Sequence, residues 1–407
     1  MIISLITIFD FMFEDFKFNS NKKIRLFEAF SGIGTQYMAL KRITNNIEVV
    51  GISEIDKFAI QSYEAIHGKV KNYGSIGEFV IPKDIDIMTW SFPCQDISLA
   101  GKQNGMINGS RSNYGYIFLE EIKKLNYDHR PNVLIMENVK ALTSKKFEED
   151  YRNIHYILEE LGYQNYGKLL ISSDYGIPQT RERIFIISIK GNYNYNFPKP
   201  IKLERMLKDY LEDKVDDKYY LNDSQIKNIL GNAINKDLKD MIDRKNTVFN
   251  KKIAYTITTK QDRRIGDSNF ILGDGSEEIK VKEYLEAVTN NVPEKFLKIP
   301  EATKLGYSKA YDGDGIYLDR PYQKRGVVQS KKIPTLKTSG NDIGVVINEK
   351  HLKIRKLTPL ETWRLMGIKD EDFYKAKDSG ISDTQLYKQA GNAIVVDVLE
   401  HIFRQLF

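Results

Sequence analysis

Between positions 23 and 190 the chain alternates short apolar runs with stretches in which apolar residues recur every three or four places. Runs of the first kind suit buried strands and stretches of the second suit amphipathic helices. Their alternation predicts a parallel sheet flanked by helices, an α/β doubly wound, Rossmann-like architecture. Positions 24–30, 48–53, 85–90, 133–137 and 184–189 read as strands, and 36–42, 57–67, 116–124 and 150–161 as helices. After Asn192 the pattern changes. Asn-Tyr repeats and Phe197-Pro198-Lys199-Pro200 read as a linker. From there to about Lys350 the periodicity weakens and glycine turns such as Gly273-Asp274-Gly275 and Asp312-Gly313-Asp314-Gly315 multiply. That stretch reads as a second, mixed domain. Two segments in it, 254–260 and 333–339, are alike but too short to make a repeat. A helical pattern returns near Leu357, where Thr358 can cap and Pro359 can take the first helical position.

Composition narrows the class. With 407 residues and 41% apolar positions the chain can bury a sizeable core. One cysteine excludes a disulfide framework and any multi-cysteine zinc site, and fits a reducing, cytoplasmic setting. The five histidines are scattered without metal-ligand spacing, so no metal is expected. The start, Met1 to Phe9, is apolar but interrupted by Asp10, with no basic residue before it and no small-residue cleavage site after it. It reads as an extension, neither signal peptide nor membrane span. The net charge of +6 points only weakly to a polyanionic partner, because an AT-rich genome accounts equally well for abundant Lys, Asn, Ile and Tyr.

Chemistry is suggested at two places. The lone Cys94 follows Phe92-Pro93 at the end of the third apolar run, on a loop at the carboxyl end of a strand, where open α/β sheets bind ligands. Glu137 closes the next run, so a nucleophile and an acid are paired; the plainer alternatives are a small buried thiol and a capping or surface glutamate. Gly32 and Gly34 follow the first strand, where missing side chains let backbone amides approach a ligand, or where a tight turn simply needs them. Glu54, at the end of the second strand and twenty residues after Gly34, suits ribose hydroxyls. Tyr37 leaves the dinucleotide fingerprint incomplete.

Five blocks in order carry a more specific signal: Phe27-Glu28-Ala29-Phe30-Ser31-Gly32-Ile33-Gly34, Ser91-Phe92-Pro93-Cys94-Gln95, Glu137-Asn138-Val139-Lys140, Gln179-Thr180-Arg181-Glu182-Arg183-Ile184-Phe185 and Gln389-Ala390-Gly391-Asn392-Ala393-Ile394-Val395-Val396. Together they resemble the DNA (cytosine-5)-methyltransferase family from about Ile24 to the C-terminus, with a variable gap between Lys190 and Ile354. The resemblance implies a discontinuous catalytic domain, 24–191 completed by 351–407, with an inserted target-recognition domain at 192–350 and an N-terminal extension at 1–23. It implies S-adenosylmethionine as cofactor and S-adenosylhomocysteine as product, with Phe30 packing on the cofactor, Ile55 and Ile76 flanking the adenine, and Asn392 a further contact. Where the family usually places an aspartate against the adenine amine, this chain reads Gly74-Ser75-Ile76, leaving Ser75 to accept one hydrogen bond. Cys94 is implied as the nucleophile that adds to carbon 6 of cytosine, and Glu137 as the acid at ring nitrogen 3. Arg183 would hold the cytosine O2 while Arg181 orients Glu137 and the cysteine loop; without the family context both are surface arginines.

The glycine-rich stretch from Ser98 to Arg111 would form a closing lid over a base rotated out of the duplex. In the insert, Thr335-Leu336 followed by Gly340 resembles the family's short recognition element. Arg320, Lys324, Arg325, Lys331, Lys332 and Lys337 around it suit phosphate contacts or simply a solvated face. The expected partner is double-stranded DNA, with no membrane, a monomeric enzyme and a possible cognate restriction endonuclease. Two other functions stay open: the same chemistry on transfer RNA, and a catalytically silent DNA-binding regulator on this scaffold. A zinc base deaminase is excluded by the missing His-x-Glu and Pro-Cys-x-x-Cys signature.

Overall fold

The computed structural model describes residues 13–19, 21–93, 113–221, 296–303, 305–318, 326–338, 342–348 and 352–407. Cys94, the stretch from Ser98 to Arg111, the 254–260 segment, Gly273-Asp274-Gly275, Arg320, Lys324, Arg325 and Gly340 lie outside them, as do residues 1–12. The chain divides into two compact units, one of Met1–Arg205 with Thr362–Phe407, the other of Met206–Glu361.

The first unit is built on β1 (Ile24–Ala29), β2 (Ile47–Ser53), β3 (Ile87–Trp90), β4 (Val133–Val139), β5 (Tyr163–Ile171) and β6 (Glu182–Lys190), in the order β2-β1-β3-β4-β6-β5. The strands β1 to β4 are parallel, whereas β6 runs antiparallel to both β4 and β5. The parallel sheet that the alternation predicts is thus extended by antiparallel pairing into a mixed one, within the expected α/β, Rossmann-like class. An apolar run such as Ile184 to Ile189 reports burial on both faces but not direction, and here the short Ser172–Arg181 connection returns β6 beside β5. The edge strand β5 has no counterpart among the expected strands, because Tyr163-Gln164-Asn165-Tyr166-Gly167-Lys168 is half-exposed and lacks an apolar signature.

Helices α1 (Thr35–Lys41), α2 (Lys57–His67), α3 (Tyr114–Lys123) and α4 (Glu148–Glu160) fall within two residues of their expected spans. The limits of α2 are set chemically. Asp56 accepts a hydrogen bond from Phe58 N at 2.9 Å, and Gly68 closes the helix at φ 85°. One face of the sheet packs Phe27, Met88, Trp90 and Phe118, the last two rings stacked at 4.4 Å. Residues 13–19 lie along the same unit: Phe16 N bonds Asn194 O at 3.1 Å, and Phe18 N bonds Leu406 O at 2.7 Å.

The second unit holds β7 (Leu297–Pro300) paired with β8 (Tyr307–Ala310), and a sheet of β9 (Gly315–Tyr317), β10 (Val328–Gln329), β11 (Ile343–Asn348) and β12 (Leu352–Lys356) in the order β10-β9-β11-β12. Ile299, Ile316, Val346 and Ile354 form its core. The next helix, α5 (Pro359–Arg364), starts on Pro359 as its sequence predicts. Thr358 Oγ accepts from Glu361 N at 3.2 Å and Glu361 Oε2 from Thr358 N at 2.8 Å, a reciprocal cap. The return segment of the first unit then carries α6 (Asp370–Asp378), α7 (Asp383–Asn392) and α8 (Val396–Arg404), whose Val398, Leu399, Ile402 and Phe403 are buried; α8 packs on α1. Among the described residues no helix is long and apolar enough to cross a membrane.

Candidate active site

At the carboxyl end of β1 the backbone turns through three left-handed residues, Phe30 (φ 56°), Gly32 (φ 56°) and Gly34 (φ 79°). A bulky residue held in that region costs roughly 1–2 kcal/mol, and Phe30 is held there on the wall of a pocket of about 290 Å3. Gly32 also lines this pocket, and a Cβ added to it would meet nothing within 4 Å. Its N–H donates to Glu54 Oε2 at 2.8 Å, and Glu54 Oε1 accepts from Ile55 N at 2.8 Å and Asp56 N at 2.9 Å. The carboxylate at the end of β2 is thus fixed against the glycine turn. Gly34 does not line the pocket. A Cβ there would stand 2.6 Å from both the Tyr63 ring and His67 Nε2, so this glycine makes room for α2.

A residue that sequence reasoning passed over, Asn72, holds the next wall. Its Oδ1 accepts from Glu54 N at 3.2 Å and Gly74 N at 3.0 Å, while its Nδ2 donates to Glu54 O at 3.0 Å. Ser53 Oγ adds a 2.6 Å bond to Gly74 O. This ties the Gly74-Ser75-Ile76 loop to the end of β2, with Ser75 and the buried Ile76 on the pocket wall beside Glu54 and Ile55. Ile55 is 70% exposed, an apolar face left open there.

The opposite side is formed by the ends of β3, β4 and β6. Ser91, Phe92 and Pro93 line the pocket and lead to Cys94, which is outside the described residues. Asn138 Nδ2 donates to Phe92 O at 3.2 Å, fastening this loop to β4. Glu137 is buried, and its Oε1 lies 2.9 Å from Arg183 Nε. The pairing follows from the antiparallel register, in which Arg183 stands opposite Val139, two residues from Glu137 along β4 and so on the same face. The guanidinium paired with Glu137 is therefore that of Arg183, the residue to which the resemblance gives the cytosine O2. The buried Arg181 donates to Gly391 O at 3.1 Å and Ala393 O at 2.9 Å, holding the return segment against the sheet.

That segment supplies the last wall, with Asn392 among its lining residues. Gln389 accepts from Ser62 Oγ at 3.1 Å and donates to Phe58 O at 3.0 Å, and Lys388 pairs with Asp56 at 2.6 Å. Burial alone would raise the Asp56 pKa, but the Lys388 ammonium and the Phe58 amide outweigh it and hold the carboxyl below its ordinary range. One cavity thus gathers Phe30, Gly32, Glu54, Ile55, Ser75, Ile76 and Asn392 with Glu137, Arg181 and Arg183. Thr335 and Leu336 belong to the second unit, where the Leu336 side chain is buried. No group of three or more His, Cys, Asp or Glu side chains among the described residues could hold a metal ion.

Fold and pocket define an α/β protein in which a glycine turn and a carboxylate–guanidinium pair share one cavity. The chain belongs to the C-5 cytosine-specific DNA methylases, the family that matches residues 24–407. It is similar to the type II methyltransferase M2.ScrFI of Lactococcus lactis subsp. cremoris, 31% identical over 94% of this chain and 99% of the relative. The orphan methyltransferase M.SPBetaI of Bacillus phage SPbeta is also 31% identical, over 94% of this chain and 97% of its own. In fold it is similar to the Dnmt2 methyltransferase of S. pombe, with a TM-score of 0.55 and 17% identity over 94% of this chain and 98% of that one.

Proposed function

We propose that this chain transfers a methyl group from S-adenosylmethionine to carbon 5 of a cytosine turned out of duplex DNA, with Cys94 as the covalent nucleophile. The reading is carried by one observation: a single pocket holds the Gly32–Glu54 turn, the Glu137–Arg183 pair and the Pro93 loop that precedes Cys94. The pocket residues fit the cofactor. Gly32 offers a bare backbone face, Glu54 a fixed carboxylate suited to ribose hydroxyls, and Phe30 and the exposed Ile55 apolar faces suited to a purine. Ser75, Ile76 and Asn392 complete its walls. When bound, S-adenosylmethionine supplies an electrophilic methyl carbon on a sulfonium and leaves as S-adenosylhomocysteine.

Carbon 5 of cytosine is too electron-poor to take that methyl group unaided. The Cys94 thiolate adds its electron pair to carbon 6, forming an S–C bond, and the displaced ring electrons make carbon 5 nucleophilic. Glu137, which takes up a proton when the entering base replaces its ion pair with Arg183, delivers that proton to ring nitrogen 3 as negative charge builds, and Arg183, released from the pair, holds the base's O2. Once carbon 5 carries the methyl group, its proton passes to solvent water, the electron pair left behind re-forms the carbon 5–carbon 6 double bond and expels Cys94 as thiolate, and nitrogen 3 returns its proton to Glu137. A stacked base cannot reach such a pocket, so the nucleotide must leave the duplex. The 98–111 stretch is proposed as the closing lid, and 192–350, with Thr335 and Leu336, as the target-recognition part inserted between 24–191 and 351–407.

The relatives named type II and orphan methyltransferases support a DNA substrate, with or without a partner endonuclease. Transfer of labelled methyl groups to a cytosine-containing duplex and to a transfer RNA tests this directly, with label expected in the duplex alone. Equal labelling of both would remove the preference for DNA. Bisulfite sequencing of host DNA after expression identifies the site, and no modified cytosine in any context would favour a silent scaffold.

A further inference from the structure

Behind the pocket wall, two side chains of α2 meet the back of the glycine turn without lining the cavity. His67 Nε2 lies 3.0 Å from the Ile33 carbonyl, and the Tyr63 ring lies against Gly34 and, at 4.7 Å between centroids, against the His67 ring. The Tyr63 hydroxyl donates to Glu28 at 2.6 Å, and Glu28 also accepts from Tyr37 N at 3.0 Å, in the first turn of α1. From the front, Gly32 N–H is held by Glu54. The turn is therefore clamped between two carboxylate-centred networks, with α2 supplying the rear one.

We propose that His67 and Tyr63 are positioning residues for the cofactor, setting the Gly32–Gly34 backbone from behind; the proposal rests on the reading of this pocket as the S-adenosylmethionine site. The turn needs such support because it contains three left-handed residues, one of them Phe30, and an unsupported chain would relax out of that conformation. His67 has the correct form for the task. Burial pushes its pKa down to about 4, so at neutral pH the ring is uncharged, and its contact with a carbonyl requires the proton on Nε2. Tyr63 acts in series: its hydroxyl fixes Glu28, which fixes the start of α1 and so the exit of the turn. The gap left by the missing Gly34 side chain lets both rings approach the backbone.

The test compares His67→Gln with His67→Met, which are similar in length but differ in having an N–H donor. Calorimetric titration with S-adenosylhomocysteine is expected to give the Met variant a Kd about tenfold weaker than the Gln variant. In steady state the loss is expected in KM for S-adenosylmethionine rather than in kcat. Melting temperatures of both proteins, taken alongside, separate a displaced turn from general loosening. If Met at this position does not fold, His67→Phe makes the same comparison. Equal affinities in two folded variants would overturn the positioning role. A wild-type protein that fails to bind S-adenosylhomocysteine would instead overturn the reading of the pocket.

Discussion

The buried charges of the two units are arranged in opposite ways. In the second unit Arg355, 2% exposed, and Glu361, fully buried, close on one another through bonds of 2.8 and 2.7 Å. Glu361 also accepts from Thr358 N and Glu212 N, each at 2.8 Å, and Arg355 donates to Lys356 O at 3.0 Å. Such a pair is fully engaged with its own unit, which is what compensates the desolvation of both ions. In the first unit Glu137 and Arg183 meet through one guanidinium nitrogen, and both line the cavity. A sealed pair holds the fold together, whereas one that borders a cavity can exchange its partner for a ligand. Exposure alone does not separate the two, since Glu137 and Glu361 are both buried.

This contrast predicts lost chemistry with retained fold in one unit and lost fold in the other. The largest effect is expected at Cys94. Cys94→Ser should reduce methyl transfer to background and leave S-adenosylhomocysteine binding nearly unchanged, because a hydroxyl is far less acidic than a thiol. A rate within about tenfold of wild type, only about 1.4 kcal/mol of barrier, would remove Cys94 from the nucleophile role. A duplex with fluorine at carbon 5 of the target gives a second readout, because fluorine cannot leave as a cation. The chain should remain joined to the base through Cys94, and an adduct mapped to any other residue contradicts the mechanism.

Next is Glu137→Gln, which keeps the shape and one hydrogen-bond acceptor but cannot deliver a proton. Single-turnover rates should fall ~10²–10⁴-fold with little change in DNA affinity or melting temperature. A large fall in stability instead would place Glu137 with Glu361, as part of the framework.

Arg355→Leu reverses the expectation. It strands the buried Glu361 without its cation, and breaking such a pair costs about 3–5 kcal/mol. Urea unfolding should show that loss, and Arg355→Leu/Glu361→Gln should recover much of it, because no charge is then left uncompensated while the 361 side chain keeps an acceptor for the Thr358 or Glu212 amide. A double variant no more stable than the single one would mean that the pair is doing more than neutralising itself.

The same contrast explains what could be read from the sequence. The span of α2 is legible because its apolar residues recur at helical spacing, and β1, β3 and β4 because strands covered on both faces are mostly apolar. The direction of β6 and the existence of β5 depend on pairing, which a half-exposed edge does not record. At the site, ordered blocks point to Glu137 and Arg183, and the spacing from Gly34 to the end of the second strand points to Glu54, while the contacts that orient them are hidden. The carboxamide of Asn72 matters because two loops converge on it, and Gly34 because a helix twenty-odd residues further on leans against it. In the second unit short strands and scattered bases left little periodic signal, and the Arg355–Glu361 pair was invisible in it.

Glu28 sharpens the comparison with the smallest effect, because it fits neither pattern: it is fully buried, faces no ligand, and its bonded partners are the neutral Tyr63 hydroxyl and Tyr37 amide. Burial raises its pKa from an ordinary 4.5 to about 7, the two hydrogen bonds offsetting only part of that rise. A carboxyl whose folded pKa is raised binds its proton more tightly when folded. Its contribution to stability is therefore fully present below the unfolded value and is lost as pH rises through the folded one. The window runs from about pH 4.5 to about 7, and a shift of that size is worth on the order of 3 kcal/mol across it. Glu28→Gln cannot titrate. The stability of wild type relative to this variant should therefore fall between pH 5 and pH 8, the variant gaining most at the alkaline end, where wild type must hold an unpaired carboxylate in its core. Urea unfolding of both proteins at intervals across that range reads the difference free of titrations they share. Parallel curves would mean that Glu28 titrates alike in the folded and unfolded chain. The clamp behind the glycine turn would then rest on a carboxylate that the fold keeps charged without strain.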